Sequence, residues 1–375
     1  MSLTQRMPAA LTPLEAALAA LLDGIKPVVP RDVALAEALG CIAAEVPPLN
    51  ALPAFDMATV DGWAFRSRDL VGASSYSPLP LAGSPVWVEA GDPIPEGCDC
   101  VIDSGLVDQT GPLFQVSAEA IPGYGVRRAG GDIAEGSSSI AAGRKIRALD
   151  LLTARAVGLD QVAVRRPRLR LIDIPATTGN VATAQLIAES ARATGAEIIC
   201  VEAGGRDARS IATAFEPQSC DLTLTVGGTG VGRSDATIEA LASRGELLAH
   251  GLALQPGRTA AIGRIGGRPV IALPGAPDQA LAGWWTLVLP VLDRLTGREL
   301  RRTTRLPLAR KIASSVGIAE IVLVKNVDGA WMPVATGELS LQTIARADAW
   351  LAVPGASEGY ATGMPVDANM LRDWS

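Results

Sequence analysis

Hydrophobic positions change period along the chain, and each change predicts a different kind of element. Residues 14–22 are alanine and leucine at helical spacing, preceded by Thr12 and Pro13 and stopped by Gly24. That order predicts a helix capped by Thr12, with proline at its first position and Glu15 closing a capping box. Its Ala/Leu face needs a cover, from a neighbouring domain or a second subunit. From residue 47 to about 142, short apolar stretches such as 85–89 and 113–117 alternate with Pro and Gly, which reads as a small β domain. Helical spacing returns over 150–158.

From Arg168 a strand-helix alternation takes over. Strands are predicted at 168–174, 197–201, 221–226 and 269–273, with helices at 182–193, 208–215, 235–243 and 278–294. Such alternation builds a parallel sheet whose ligands sit at the carboxyl ends of the strands. Arg165, Arg166, Arg168 and Arg170 precede or alternate with the apolar residues of the first strand, so a solvated face is expected for them. Beyond a charged linker at 297–302 the pattern is β-like again, clearest at 318–324 and 350–353.

Composition narrows the class. At 375 residues the chain exceeds one ordinary core, so several domains are expected. Hydrophobic residues make up 48%, yet no apolar run reaches membrane-spanning length, and the most apolar window, 283–292, is broken by Pro290. With no basic, apolar leader at the start, the expectation is a soluble cytoplasmic protein without membrane partners. A net charge of −6 opposes a nucleic-acid surface, which needs a dense basic face. Cys98 and Cys100 form the one close pair among five cysteines, and with His250 the only histidine they make a poor zinc site. Structural thiols in a reducing compartment are expected instead. One histidine also leaves little for Ser-His-Asp or Cys-His catalysis.

The candidate chemistry gathers at strand ends. After the strand ending at Val226 come Gly227, Gly228, Thr229, Gly230 and Gly232, then Ser234 and Asp235 at an expected helix start. Glycines allow positive φ and close approach, and a helix's first turn presents unpaired N–H groups, so the loop reads as an anion cradle or as tight-turn geometry alone. It lacks the Gly-Lys-Ser/Thr of a P-loop and the full dinucleotide spacing. Leu273-Pro-Gly-Ala-Pro-Asp278 ends a second strand of the same sheet, and Gln255-Pro-Gly-Arg258 presents Arg258 as a fixed cation for an oxyanion. Asp56 and Asp61 bracket an apolar run, where Asp61-Gly62 suits a turn whose carboxylate either caps it or faces a ligand.

In order along the chain, these segments resemble the molybdopterin molybdenumtransferase family, the bacterial MoeA proteins and the gephyrin E domain. Phe55-Asp-Met-Ala-Thr-Val-Asp-Gly-Trp-Ala64 is similar to that family's Phe-Asp-Asn-Ser-Ala-Met-Asp-Gly-Tyr-Ala. Gly91-Asp-Pro-Ile-Pro-Glu-Gly-Cys-Asp99 and Val126-Arg-Arg-Ala-Gly-Gly-Asp-Ile133 resemble Gly-x-Pro-x-Pro-x-Gly-x-Asp and Arg-x-x-Gly-Glu-Asp. The glycine loop corresponds to Gly-Gly-Val-Ser-Val-Gly, the Arg258 turn to Lys-Pro-Gly-Lys and the Pro274 turn to Leu-Pro-Gly-Asn-Pro, while residues 339–348 resemble the C-terminal signature.

The resemblance implies an α/β plus β multidomain fold: a helical linker domain (1–46 and 140–167), an inserted β domain (47–139), a molybdopterin-binding parallel α/β domain (168–298) and a C-terminal β barrel-like domain (299–375). It implies a homodimer with the site shared between subunits, and magnesium, molybdopterin-AMP and molybdate as cofactor and substrates. A molybdopterin adenylyltransferase or a molybdoenzyme apoprotein is the implied partner. By position, Asp61, Asp132 and Asp235 would be catalytic, with Asp235 also holding the metal. Gly227, Gly228, Thr229, Gly230, Gly232 and Ser234 would cradle the pterin phosphate region. Arg258, Pro274, Gly275, Ser340 and Arg346 would complete the substrate site. The chain departs from the pattern at Asn180, Gln255 and Ala276, where the family has an acid, a lysine and an asparagine. The alternative expectation is therefore a molybdopterin-binding carrier or scaffold of the same fold with impaired transfer.

Overall fold

Alternating apolar runs from Arg168 onward form a six-stranded sheet in the computed structural model, which describes residues 5, 7–45, 47–81, 83–110, 113–138, 140–175, 182–215 and 220–371. Its strands are β1 (Arg168–Asp173), β2 (Glu197–Glu202), β3 (Leu222–Val226), β4 (Glu246–His250), β5 (Ala261–Ile265) and β6 (Arg268–Leu273). They lie in the order β2-β1-β3-β6-β5-β4. The pairs β2/β1, β1/β3 and β3/β6 are parallel, and β5 and β4 add antiparallel. Every residue of β3 is buried, because apolar clusters cover both faces of the sheet. Ile187, Ala188 and Ala191 pack with Leu169 and Leu224, while Ile211, Phe215 and Leu241 pack with Ile172. A strand covered on both faces reads as a continuous apolar run, which is why β3 was legible.

The helices Ala182–Ala193 and Ala208–Ala214 lie where the periodicity placed them. Others differ, for identifiable reasons. The helix after the glycine loop is Thr237–Arg244, so Ser234 and Asp235 belong to the turn before it. The long helix predicted at 278–294 is Pro277–Gly283, a π turn over Trp284–Val288, and Leu289–Thr296. Pro290 lacks a backbone N–H, and the wider turn absorbs that missing donor without ending the helix.

The first helix, Leu14–Leu22, buries Leu14, Ala17 and Leu21 in the same cluster as β1 and β3. Thr12 does not cap it. Instead Thr12–Pro13 is a short strand beside Leu252–Gln255, with the Thr12 N–H on the Gly251 carbonyl at 2.9 Å. Pairing across the chain has replaced the local cap. Arg170 likewise departs from the expected solvated face: its side chain is buried and its Nε donates to the Ala214 carbonyl at 2.8 Å.

Leu252–Gln255 also pairs in parallel with Ala319–Val327, so residues from the first and last thirds of the chain share a seven-stranded sheet. Trp285 stacks on Trp350 of that sheet at 5.2 Å. The chain divides into two compact units, residues 1–45, 142–148 and 161–375 in one and 46–141 with 149–160 in the other. The second unit is built of short strands, with Gly62–Phe65 between Val86–Val88 and Cys100–Asp103. Trp63 lies edge-on to both Trp87 and Phe114 at 5.1 Å. Among the described residues no helix is long and apolar enough to cross a membrane.

Candidate functional site

At the carboxyl end of β3 the chain turns on Gly227 and Gly228, with φ of 99° and 67°. Thr237 locks this turn, its Oγ1 donating to the Gly227 carbonyl at 2.9 Å and its N–H to the Gly228 carbonyl at 3.1 Å. A Cβ on residue 228 would stand 2.4 Å from that hydroxyl. Gly230 and Gly232 do not adopt positive φ, contrary to the sequence expectation. They are small because a Cβ at either would lie 2.7 or 2.9 Å from Oδ2 of Asp235. That oxygen accepts the Gly232 N–H at 3.0 Å, so the loop folds around the carboxylate.

The second strand end approaches the first. Gly227 donates its N–H to the Leu273 carbonyl at 2.9 Å, and a Cβ on Gly275 would sit 3.5 Å from the Gly227 Cα. Pro274 is buried and Gly275 exposed, with the Gly275 carbonyl accepting from Thr183 Oγ1 at 2.7 Å. Thr229 is buried and its carbonyl meets His250 Nε2 at 3.1 Å. Burial holds the His250 imidazole below its ordinary pKa, against the smaller opposing effect of that carbonyl. Arg258 and Ser234 are exposed. Thr177–Asn180, the first strand end, lies outside the described residues.

Three groups at these strand ends carried no signal in the sequence. Arg206, just past β2, places Nη2 3.1 Å from Asp235 Oδ1 and donates through Nη1 to the Pro175 carbonyl. Gln5 receives the Ile238 N–H on Oε1 at 3.1 Å and donates to the Gly228 carbonyl at 3.1 Å, so the helix amide expected to face an anion already has a partner. Asp173, at the end of β1 and in register with Glu202, has its pKa raised by burial first and by Glu202 second.

Asp61 and Asp132 belong to the other unit. Asp61 Oδ1 accepts the Ala90 N–H at 2.8 Å, and Asp132 pairs with Arg127 at 3.1 Å. Asp56 accepts the Ala129 N–H at 2.7 Å and pairs with Arg128 at 2.6 Å, which together hold its carboxyl below the usual range. Ser340 caps the helix Leu341–Arg346 through Thr343, and Arg346 is exposed.

A model of the MoeA N-terminal region (domain I and II) matches residues 12–158, and one described as Probable molybdopterin binding domain matches 177–294. The crystal structure of a molybdopterin biosynthesis MoeA protein from Pyrococcus horikoshii aligns with TM-score 0.74 and 27% identity, covering 97% of this chain and 100% of that one. This chain belongs to the MoeA family. Molybdopterin molybdenumtransferase 1 of Mycobacterium tuberculosis is 28% identical over 91% of this chain and 95% of that protein. The molybdopterin molybdenumtransferase of Synechococcus elongatus is 26% identical over 85% of this chain and 89% of its own length. The multidomain MoeA architecture expected from the motifs is therefore the fold.

Within this MoeA fold, the donor set decides whether magnesium fits. One oxygen of Asp235 faces Arg206 and the other the Gly232 N–H. Among the described residues no three His, Cys, Asp or Glu side chains gather where they could hold a metal. The described residues at these strand ends therefore do not build a magnesium site from protein ligands alone. The two grooves lined by Ala208, Arg209 and Glu239 and by Arg31, Arg166 and Glu197 include no residue of the glycine loop.

Proposed function

We propose that this MoeA-family chain acts in molybdenum cofactor biosynthesis, inserting molybdate into adenylylated molybdopterin with release of AMP. The observation that carries the reading is the glycine turn at the end of β3, pressed against the Gly275 turn at the end of β6. Two strand ends without bulky side chains leave main-chain groups open to close approach by a phosphate or pterin. Arg258, exposed and permanently charged, precedes Thr259, whose hydroxyl lies 3.3 Å from that of Thr229 in the glycine loop, and is suited to an oxyanion such as molybdate. Asp61 and Asp132 act from the second unit, and the working form is a homodimer in which one subunit's pair serves the strand ends of the other. Ser340 and Arg346 contact substrate from the two ends of the helix Leu341–Arg346.

The test is direct: purified protein is incubated with molybdopterin-AMP and molybdate, and released AMP and active cofactor are measured. Molybdate-dependent AMP release is expected, and none at any molybdate concentration rejects transfer. A second reading, binding without turnover, is favoured by the engagement of both Asp235 oxygens and by Gln255 in place of the family lysine. Stable retention of molybdopterin with no AMP formed would establish it.

A further inference from the structure

The disagreement between Asp235 and a magnesium ligand has a structural source in Arg206. Asp235 is mostly covered, at 18% exposure, and Arg206 is 26% exposed. The guanidinium spans two strand ends, from the Pro175 carbonyl after β1 to the Asp235 carboxylate after β3. Its backbone is anchored by the next residue: Asp207 caps the helix Ala208–Ala214 by accepting the Ser210 N–H at 3.0 Å and the Ser210 hydroxyl at 2.6 Å. The Arg206 Nε is buried with no hydrogen-bond partner among the described residues.

Asp235 cannot turn toward a metal without cost to the loop. Gly230 and Gly232 leave the space its present position occupies, and turning Oδ2 away would leave the Gly232 N–H without that acceptor. Any divalent cation reaching the carboxylate would also meet the like charge of a guanidinium 3.1 Å from Oδ1.

We propose that Arg206 supplies the fixed positive charge for a substrate phosphate at this sheet end, with Asp235 as its anchor, in place of a divalent cation. This rests on the phosphate-binding reading of the glycine loop above. A guanidinium held by a carboxylate and a carbonyl keeps a donor edge in a set direction, which suits a phosphate oxygen. Arg206 is thus a binding residue and Asp235 a positioning residue.

Two measurements on the full chain test it. In the first, Mn2+ alone is titrated into wild type, D235N and R206D, followed by electron paramagnetic resonance. Wild type and D235N should titrate alike, while R206D, which sets two carboxylates together, should gain a Mn2+ site that D235N removes in the double variant. An Asp235-dependent Mn2+ site in the wild type overturns the proposal. In the second, AMP binding is measured by calorimetry with EDTA and with magnesium. Affinity should be the same in both, fall about tenfold or more in R206A, and be partly kept in R206K. Affinity that needs magnesium, or that R206A leaves unchanged, overturns it. Melting curves of each variant separate misfolding from lost contacts. Failure of AMP release from molybdopterin-AMP, with AMP still bound in EDTA, rejects the transfer reading and leaves this one standing.

Discussion

At the scale of single residues, the glycine loop separates glycines needed for backbone conformation from those needed for space. Gly228 needs both, with φ of 67° and a Cβ position 2.4 Å from Thr237 Oγ1. Gly228→Ala should lower stability by about 1–3 kcal/mol and abolish molybdopterin binding, read by urea unfolding and ligand retention. Gly267→Ala is the control, because its φ is 76° but nothing lies within 4 Å of the added Cβ; it should cost about 1 kcal/mol and leave binding intact. His250 adds a pH dependence. Burial lowers its folded pKa below the ordinary 6.5, so unfolding takes up a proton. Its contribution to stability is complete above the unfolded value and is lost as pH falls through about 6.5 toward the folded one. Melting temperature should therefore decline below that pH more steeply in the wild type than in H250N. The glycine count and Asp235 were legible as letters. The reason for Gly230 and Gly232 was not, since it depends on where the Asp235 carboxylate folds back.

At the scale of elements, strands covered on both faces and helices with one apolar stripe were the legible ones. β1, β2, β3 and β6 match the apolar runs within a residue or so because local pattern and burial agree there. β4 and β5 were missed, although Gly266-Gly267 between β5 and β6 is a hairpin signal, with positive φ at both. The predicted cap at Thr12 failed because a backbone ladder with Leu252 offered the same residue a better-paired alternative. The Trp285–Trp350 stack ties the π turn to the C-terminal strands, with both rings nearly buried. Trp350→Ala should remove about 3–5 kcal/mol from unfolding of this unit, measured by guanidinium denaturation.

At the scale of the whole molecule, the residues proposed for the site are split between two compact units: Asp61 and Asp132 in one, Asp235 and the glycine loop in the other. The proposed homodimer makes a definite prediction from that split. D61N and D235N should each abolish AMP release. Mixing the two after subunit exchange should restore about a quarter of wild-type activity, because half of the dimers then carry one intact shared site. No recovery, with exchange confirmed by mass spectrometry, would place each site within one subunit.

By itself, the sequence determined the family, the parallel sheet and the location of the glycine turn, because motif order and hydrophobic period are properties of neighbouring residues. Tertiary structure alone decided that Arg206 grips Asp235, that Gln5 takes the Ile238 amide and that Arg170 lies buried. Arg206 and Asp235 stand 29 residues apart, and Gln5 and Ile238 stand 233 apart. Contacts of that separation exist only once parallel strands bring their carboxyl ends side by side, so no local pattern carries them.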